Sequence, residues 1–132
     1  MKCSSYLGDS YQVEANVYAK DCASRQVLDR IGDTWSVLIV ALLAGGPLRY
    51  SELAGGIDGI SPKMLTQTLR GLERDGMISR TVFPVIPPRV DYELTDLGRS
   101  LLGLVRELVV WAEGHISDVI DARESYDGRA TA

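Results

Sequence analysis

The chain is poor in the side chains that carry most enzyme chemistry. Of its 132 residues one is histidine, two are cysteine and one is phenylalanine. His115, Cys3 and Cys22 fit no metal-ligand spacing, so neither a zinc site nor any other metal is expected. There is no nucleophile elbow, no phosphate-cradling glycine loop and no cluster of acids, which argues against an enzyme and against a bound cofactor. The longest apolar run, VLIVALLA at residues 37–44, is far short of the roughly 20 residues of a membrane helix. The opening MKCSSYLGDSYQVEANVYAK lacks the apolar centre of a signal peptide. A cytoplasmic protein with no membrane partner is the expectation. No internal repeat or low-complexity tract interrupts the chain.

What is present is ordinary in bulk and uneven in place. Hydrophobic residues make up 45% and charged residues 24%, as in one soluble domain able to bury a core without disulfides or metal. In a reducing compartment both cysteines are then expected as free thiols. The net charge of −4 speaks at first against nucleic acid, but its distribution matters more. Residues 1–46 carry four basic and five acidic groups, residues 47–90 six and four, and residues 91–132 four and nine. Between residues 60 and 90 the count is five basic against two acidic.

Periodicity and punctuation divide the chain into elements. Val27, Leu28 and Ile31 predict a short helix from about Ser24 to Ile31, ended by Gly32. Thr34 can cap a second helix over Trp35–Ala44, apolar nearly all round and so buried. Gly45-Gly46-Pro47 stops it, and Leu48-Arg49-Tyr50 can form a minimal strand. Ser51 can cap a third helix with Leu53 and Ala54 turned inward. Next comes SPKMLTQTLRGLERDG, with Ser61 as N-cap, Pro62 at the first helical position and a closing glycine. Leu65, Leu69 and Leu72 form its buried stripe. Lys63, Thr66, Gln67, Arg70 and Arg74 fall within roughly a 100° arc on the other side. Gly71, inside this helix, costs about 1 kcal/mol against alanine, and a close packing contact would explain it. Residues 77–94 alternate as a two-stranded hairpin with a tip, PVIPP, stiffened by three prolines. Thr95 can cap a long final helix reaching about Ala122. Its apolar stripe includes Leu101, Leu104, Leu108, Trp111, Ile116 and Ile120, and is wider than one domain needs, which points to a partner chain.

The pair of helices at residues 51–56 and 62–75, followed by a hairpin, has the order of a helix-turn-helix with a wing. Its second helix would enter the major groove of double-stranded DNA. Gln67 could then pair with adenine, and Arg70 or Lys63 could read guanine. Ser61 and Thr66 suit a phosphate, and Arg80 and Arg89 flank the wing, where backbone or minor-groove contacts are natural. A solvated surface helix would explain the polar arc alone, but not the capping, the stiffened hairpin and the local positive charge together. A winged-helix module for protein contacts is the alternative function.

The stretches ISPKMLTQTLR, the DG before the hairpin, IPPRVDY and LTDLGRSL resemble, in that order, the pieces of the HxlR family of bacterial winged helix-turn-helix regulators, which are MarR-like. The resemblance covers about residues 22–113. It implies a mainly α fold with a small β wing (α+β) and a long C-terminal dimerisation helix. It also implies a homodimer that regulates transcription, often as a repressor, with Ser61, Pro62, Lys63, Thr66, Gln67 and Arg70 at the DNA. Residues 1–21 are then a flexible arm, 22–124 the DNA-binding and dimerisation domain and 125–132 a frayed tail. Cys22 matches a cysteine often found just before the first helix in this family, several members of which resemble redox or electrophile sensors. Here Ala23 follows the cysteine where proline is common, and Thr34 stands where a basic residue is common. Two readings of Cys22 stay open: a sensing thiol answering an oxidant or small-molecule effector, and a small buried hydrophobe.

Overall fold

Caps and glycine stops set the element boundaries of residues 15–130, which the computed structural model describes. Helix α1 spans Ala23–Gly32 and α2 spans Thr34–Leu42, continued by a 3-10 turn at Leu43–Gly45. Strand β1 (Leu48–Arg49), α3 (Tyr50–Gly56), α4 (Pro62–Arg74), β2 (Ile78–Phe83) and β3 (Arg89–Leu94) follow, then α5 (Asp96–Gly114) and α6 (Ile116–Ala130).

The cap of α2 is Asp33 rather than Thr34. Its carboxylate accepts from the Ser36 amide at 3.4 Å and the Ser36 hydroxyl at 3.2 Å, and a carboxylate is the stronger cap for a helix start. α3 begins two residues earlier than a Ser51 cap would place it, with Arg49 at the N-cap and the Glu52 carboxylate accepting from the Arg49 amide at 3.0 Å. Ser61 caps α4 as expected, accepting from the Met64 amide at 3.1 Å, and Pro62 occupies the first turn where its missing N–H costs nothing.

β1 joins the hairpin, so the wing is a three-stranded antiparallel sheet in the order β1-β3-β2 rather than two strands. Ile78 faces Leu94 at its base and Phe83 faces Arg89 near the tip, while Leu48 and Arg49 face Tyr92 and Asp91. The core lies where α2, α4 and the sheet base meet. Ile39, Val40, Leu43, Leu53, Leu65, Leu69, Leu72, Ile78 and Val105 are almost completely buried. Ala54, expected inside, is exposed. Together these elements form the winged helix-turn-helix that the sequence implied.

The single long C-terminal helix is two helices. Gly114 ends α5, and His115 turns back on it, its amide donating to the Trp111 carbonyl at 3.0 Å and Nδ1 donating to the same oxygen at 2.8 Å. The imidazole stacks on Trp111 at 4.6 Å between ring centroids. α6 then runs to Ala130, so residues 125–130 are helical where a frayed tail was expected. At the other end, residues 15–21 of the expected arm form turns in which Ala19 is buried, as is Cys22 just after them; residues 1–14, Cys3 among them, lie outside the described part.

α5 starts on the turn between α4 and β2. The Thr95 amide donates to the Met77 carbonyl at 3.0 Å, the Thr95 hydroxyl donates to the Gly76 carbonyl, and Thr95 also caps α5 by accepting from the Gly98 amide at 3.1 Å. A Cβ on Gly98 would lie 2.0 Å from the Met77 carbonyl oxygen. Backbone cannot yield as a flexible side chain can. Gly98→Ala is therefore expected to lower stability by about 1–3 kcal/mol. Gly103→Ala, five residues along the same helix and meeting nothing within 4 Å, should raise it by about 0.4–1 kcal/mol. Urea unfolding of the two variants reads the difference, and equal effects would mean that the close approach at Gly98 does not constrain the fold.

Candidate nucleic-acid interface

α4 carries its apolar stripe inward and leaves Ser61, Pro62, Lys63, Gln67, Arg70 and Arg74 exposed, with Thr66 half-buried. Thr68 faces the core and satisfies its hydroxyl by donating to the Met64 carbonyl at 2.7 Å. The start of the helix is held from α3. The Tyr50 hydroxyl lies 3.2 Å from the Pro62 carbonyl, to which it donates, and 3.3 Å from the Thr66 hydroxyl. With its one proton given to the carbonyl, Tyr50 accepts from Thr66, which fixes the threonine rotamer at the centre of the exposed face.

α4 and the wing enclose a cleft of about 280 Å³ lined by Thr66, Leu69, Arg70, Glu73, Arg80 and Tyr92. Arg70 from the helix and Arg80 from β2 thus reach the same space. Arg74 does not. It lines a separate hollow with Gln26, Asp29, Arg30, Asp33 and Asp75 at the α1 end of α4. Among the described residues the ion pairs are Arg25–Asp29, Arg30–Asp75, Arg89–Asp91 and Arg99–Glu93. None of them involves Lys63, Arg70, Arg74 or Arg80. Those four cations of α4 and the wing are not engaged in salt bridges among the described residues, although Glu73 lines the Arg70 cleft and Asp29, Asp33 and Asp75 line the Arg74 hollow, and cations left available in this way are what a polyanion needs to find.

Arg89 differs. Its Nε and Nη2 donate to both Asp91 oxygens at 2.9 Å, and its guanidinium lies 5.1 Å from the centre of the Phe83 ring. Sequence reasoning singled out Arg89 and missed its fork to Asp91. It also missed Tyr50 as the anchor of α4, and Arg49, which shares a hollow with Tyr50, Ser51, Pro87, Pro88, Arg89 and Val90. A hydrophobic or basic pattern gives no sign of such tertiary pairings. The wing tip is apolar and exposed at Val85 and Ile86, and the Ile86–Pro87 peptide is cis.

The residues expected at a subunit contact divide. Leu104, Leu108, Trp111, Ile116 and Ile120 are between 43% and 59% exposed, with Leu97 and Val110 exposed beside them. Leu101 instead packs against the core from α5. Cys22 is fully buried, receives the Ser24 hydroxyl at 3.0 Å and the Asn16 amide at 3.3 Å, and is disulfide-bonded rather than the free thiol expected. Among the described residues no three His, Cys, Asp or Glu side chains gather to hold a metal ion, and no helix is long and apolar enough to cross a membrane.

A helix pair with a basic second helix and an adjoining sheet defines a winged helix-turn-helix DNA-binding protein. Residues 30–119 match the HxlR-like helix-turn-helix family, and the chain belongs to it. It is 41% identical over 111 residues to the HTH-type transcriptional regulator YtfH of Escherichia coli K12, covering 84% of this chain and 88% of that one. The solved structure of YtfH from Salmonella typhimurium, 41% identical, superposes with a TM-score of 0.79 over 84% of this chain and 99% of that one. The redox regulator HypR in its oxidised form, 35% identical, superposes with a TM-score of 0.66 over 70% and 96%. The family and these relatives are regulators of transcription, so the protein is a DNA-binding transcriptional regulator and not an enzyme.

The Arg89 hydrogen bond, aided by the charges of Arg89 and Arg49, holds the Asp91 carboxyl below its ordinary value, and the same bond holds Arg89 above its own. A depressed carboxylate contributes stability that is complete above the ordinary carboxylate range and fades as pH falls through its folded value. Carboxyl-carbon NMR titration should show Asp91 titrating lower in the wild type than in Arg89→Ala, where it returns toward the usual range. Identical titration curves would mean that the fork is not formed in solution.

Proposed function

We propose that the protein is a homodimeric repressor that reads an inverted-repeat operator, with one α4 per subunit in the major groove. The carrying observation is that Lys63, Arg70, Arg74 and Arg80, on α4 and the adjoining wing, take part in no salt bridge among the described residues, in a chain of net charge −4. Such a local excess steers a duplex that the whole molecule would repel. Within this reading Gln67 pairs with adenine, Arg70 or Lys63 with guanine, and Ser61, Pro62 and Thr66 place the helix start on a phosphate. Arg74 and Arg80 take flanking phosphates, and Arg89 joins them by exchanging Asp91 for the backbone. The regulator acts in the cytoplasm, at the nucleoid.

The dimer reading is supported by the exposed apolar row on α5 and α6, and we assign the exposed Val27 and Leu28 of α1 to the same contact. Sulfur chemistry at Cys22 is the control we favour, given its disulfide and the likeness to a redox regulator, HypR; a small-molecule effector is the other.

Three measurements test these statements. Fluorescence anisotropy with duplex from upstream of the protein's own gene should give binding that weakens linearly with log salt. Arg70→Ala should cost about 1–3 kcal/mol and relax choice at one base position. Uniform weakening across all sequences would make Arg70 a phosphate anchor instead. Sedimentation velocity should show a dimer for the wild type and a folded monomer for Leu108→Arg/Trp111→Arg. A monomeric wild type would remove the dimer, and footprints should otherwise show half-sites one turn, about 34 Å, apart.

A further inference from the structure

Gly71 sits inside the reading helix, where alanine would favour the helix more. The reason lies across the fold. An ideal Cβ at Gly71 would be 2.3 Å from Nη1, 2.5 Å from Cζ and 2.6 Å from Nη2 of Arg30. The Arg30 guanidinium occupies the space that a side chain at 71 would take. One turn further on, Arg30 Nε donates to Asp75 Oδ2 at 3.0 Å. Arg30 lies in the last turn of α1 and Asp75 is the C-cap of α4. A cation there also complements the carbonyl end of α4. The Arg30 side chain is 29% exposed, the least of the four paired arginines. Among the described residues this is the one side-chain hydrogen bond joining α1 to α4.

α1 has no buried residue of its own and exposes Val27 and Leu28, on the surface assigned above to the partner subunit. The helix that meets the partner therefore also grips the end of the helix that meets DNA.

We propose that Arg30 is a positioning residue for DNA binding: seated on Gly71 and paired with Asp75, it fixes the C-terminal half of α4, with Arg70 and Arg74, relative to α1. It thereby ties subunit arrangement to the separation of the two reading helices. This rests on the dimeric DNA-binding reading above. Arg30 need not touch DNA, and Gly71 gives the guanidinium its seat, from which a methyl group would displace the flexible arginine side chain.

The test uses Arg30→Met, Asp75→Asn and Gly71→Ala, titrated against duplex from upstream of the protein's own gene and against an unrelated duplex. Each variant should weaken specific binding about tenfold while the salt slope stays that of the wild type. Arg30→Met/Asp75→Asn should be no weaker than either single change. Gly71→Ala should keep or raise the melting temperature while losing affinity, a divergence that a merely structural role would not give. Wild-type affinity in Gly71→Ala would overturn the proposal. So would a salt slope in Arg30→Met lowered by about one phosphate, roughly 0.9, because Arg30 would then contact DNA itself. Amide hydrogen exchange in the DNA-free protein should quicken over residues 71–76 in Arg30→Met, and unchanged exchange there would also overturn it. A wild type that binds neither duplex would overturn the DNA reading itself, and the exchange result, which needs no DNA, tells the two failures apart.

Discussion

The carbonyl of Met77 is the point on which the rest of the molecule turns. It accepts the Thr95 amide at the end of β3 and lies against Gly98 in the first turn of α5, while the amide of the same residue donates to the Leu72 carbonyl of α4 at 2.9 Å. The reading helix, the wing and the C-terminal helix thus meet around one residue. An interior that is close-packed transmits rather than absorbs displacement. A shift of α5, from whatever cause, moves the end of α4 and the base of the wing with it. The Gly76 turn, at φ 77°, gives the chain the left-handed step it needs to pass from helix to strand at this crowded place.

Charge does its work locally. Nine of the acids lie after residue 90, and α6, with Asp118, Asp121, Glu124 and Asp127, carries four of them at the end of the chain that packs on α5. Screening over about 8–10 Å at physiological ionic strength lets the α4 face present positive potential although the whole chain is negative. The Arg89–Asp91 fork follows a different logic: a wing cation kept paired until a stronger anion replaces the carboxylate. The arginine fork matches phosphate geometry as well as it matches a carboxylate.

Much of this was legible in the residue order. Ser61-Pro62 at the start of α4, Leu65, Leu69 and Leu72 inside it, and the alternation through Ile78–Val82 and Val90–Leu94 are local patterns, and local patterns determine local structure. The parts that were not legible are tertiary. Asp33 beats Thr34 as a cap because its carboxylate reaches Ser36. β1 pairs with β3, more than forty residues away, and two residues carry no periodicity. The end of α5 depends on His115 competing for the Trp111 carbonyl, a choice that a smoothly continuing apolar stripe conceals. Gly71 was visible as an anomaly, but its cause, Arg30, is forty-one residues upstream. At the candidate interface the exposure of Lys63, Gln67 and Arg70 follows from helical phase alone, whereas the Tyr50 anchor and the shared Arg70–Arg80 cleft need the sheet to be folded against α4.

The C-terminal helices raise a question of stability that one chain does not answer. Val105 is the last residue of α5 to be buried, and α6 buries none. Isolated helices of about 12–15 residues are marginal in water even when built from good helix formers, and α6, at 15 residues, contains Ser117, Ser125 and Gly128, with β-branched residues in its first turns. Its order must come from burial against something. The exposed row Leu104, Leu108, Trp111, Ile116 and Ile120 offers that burial only to another surface of similar character, and in the proposed dimer the same row on a second chain supplies it. Folding of α6 and association of the subunits are then one equilibrium rather than two. Because α5 is locked at its other end to Met77, the geometry chosen at that contact is carried to α4 through packed backbone, and through Arg30 where α1 shares the contact.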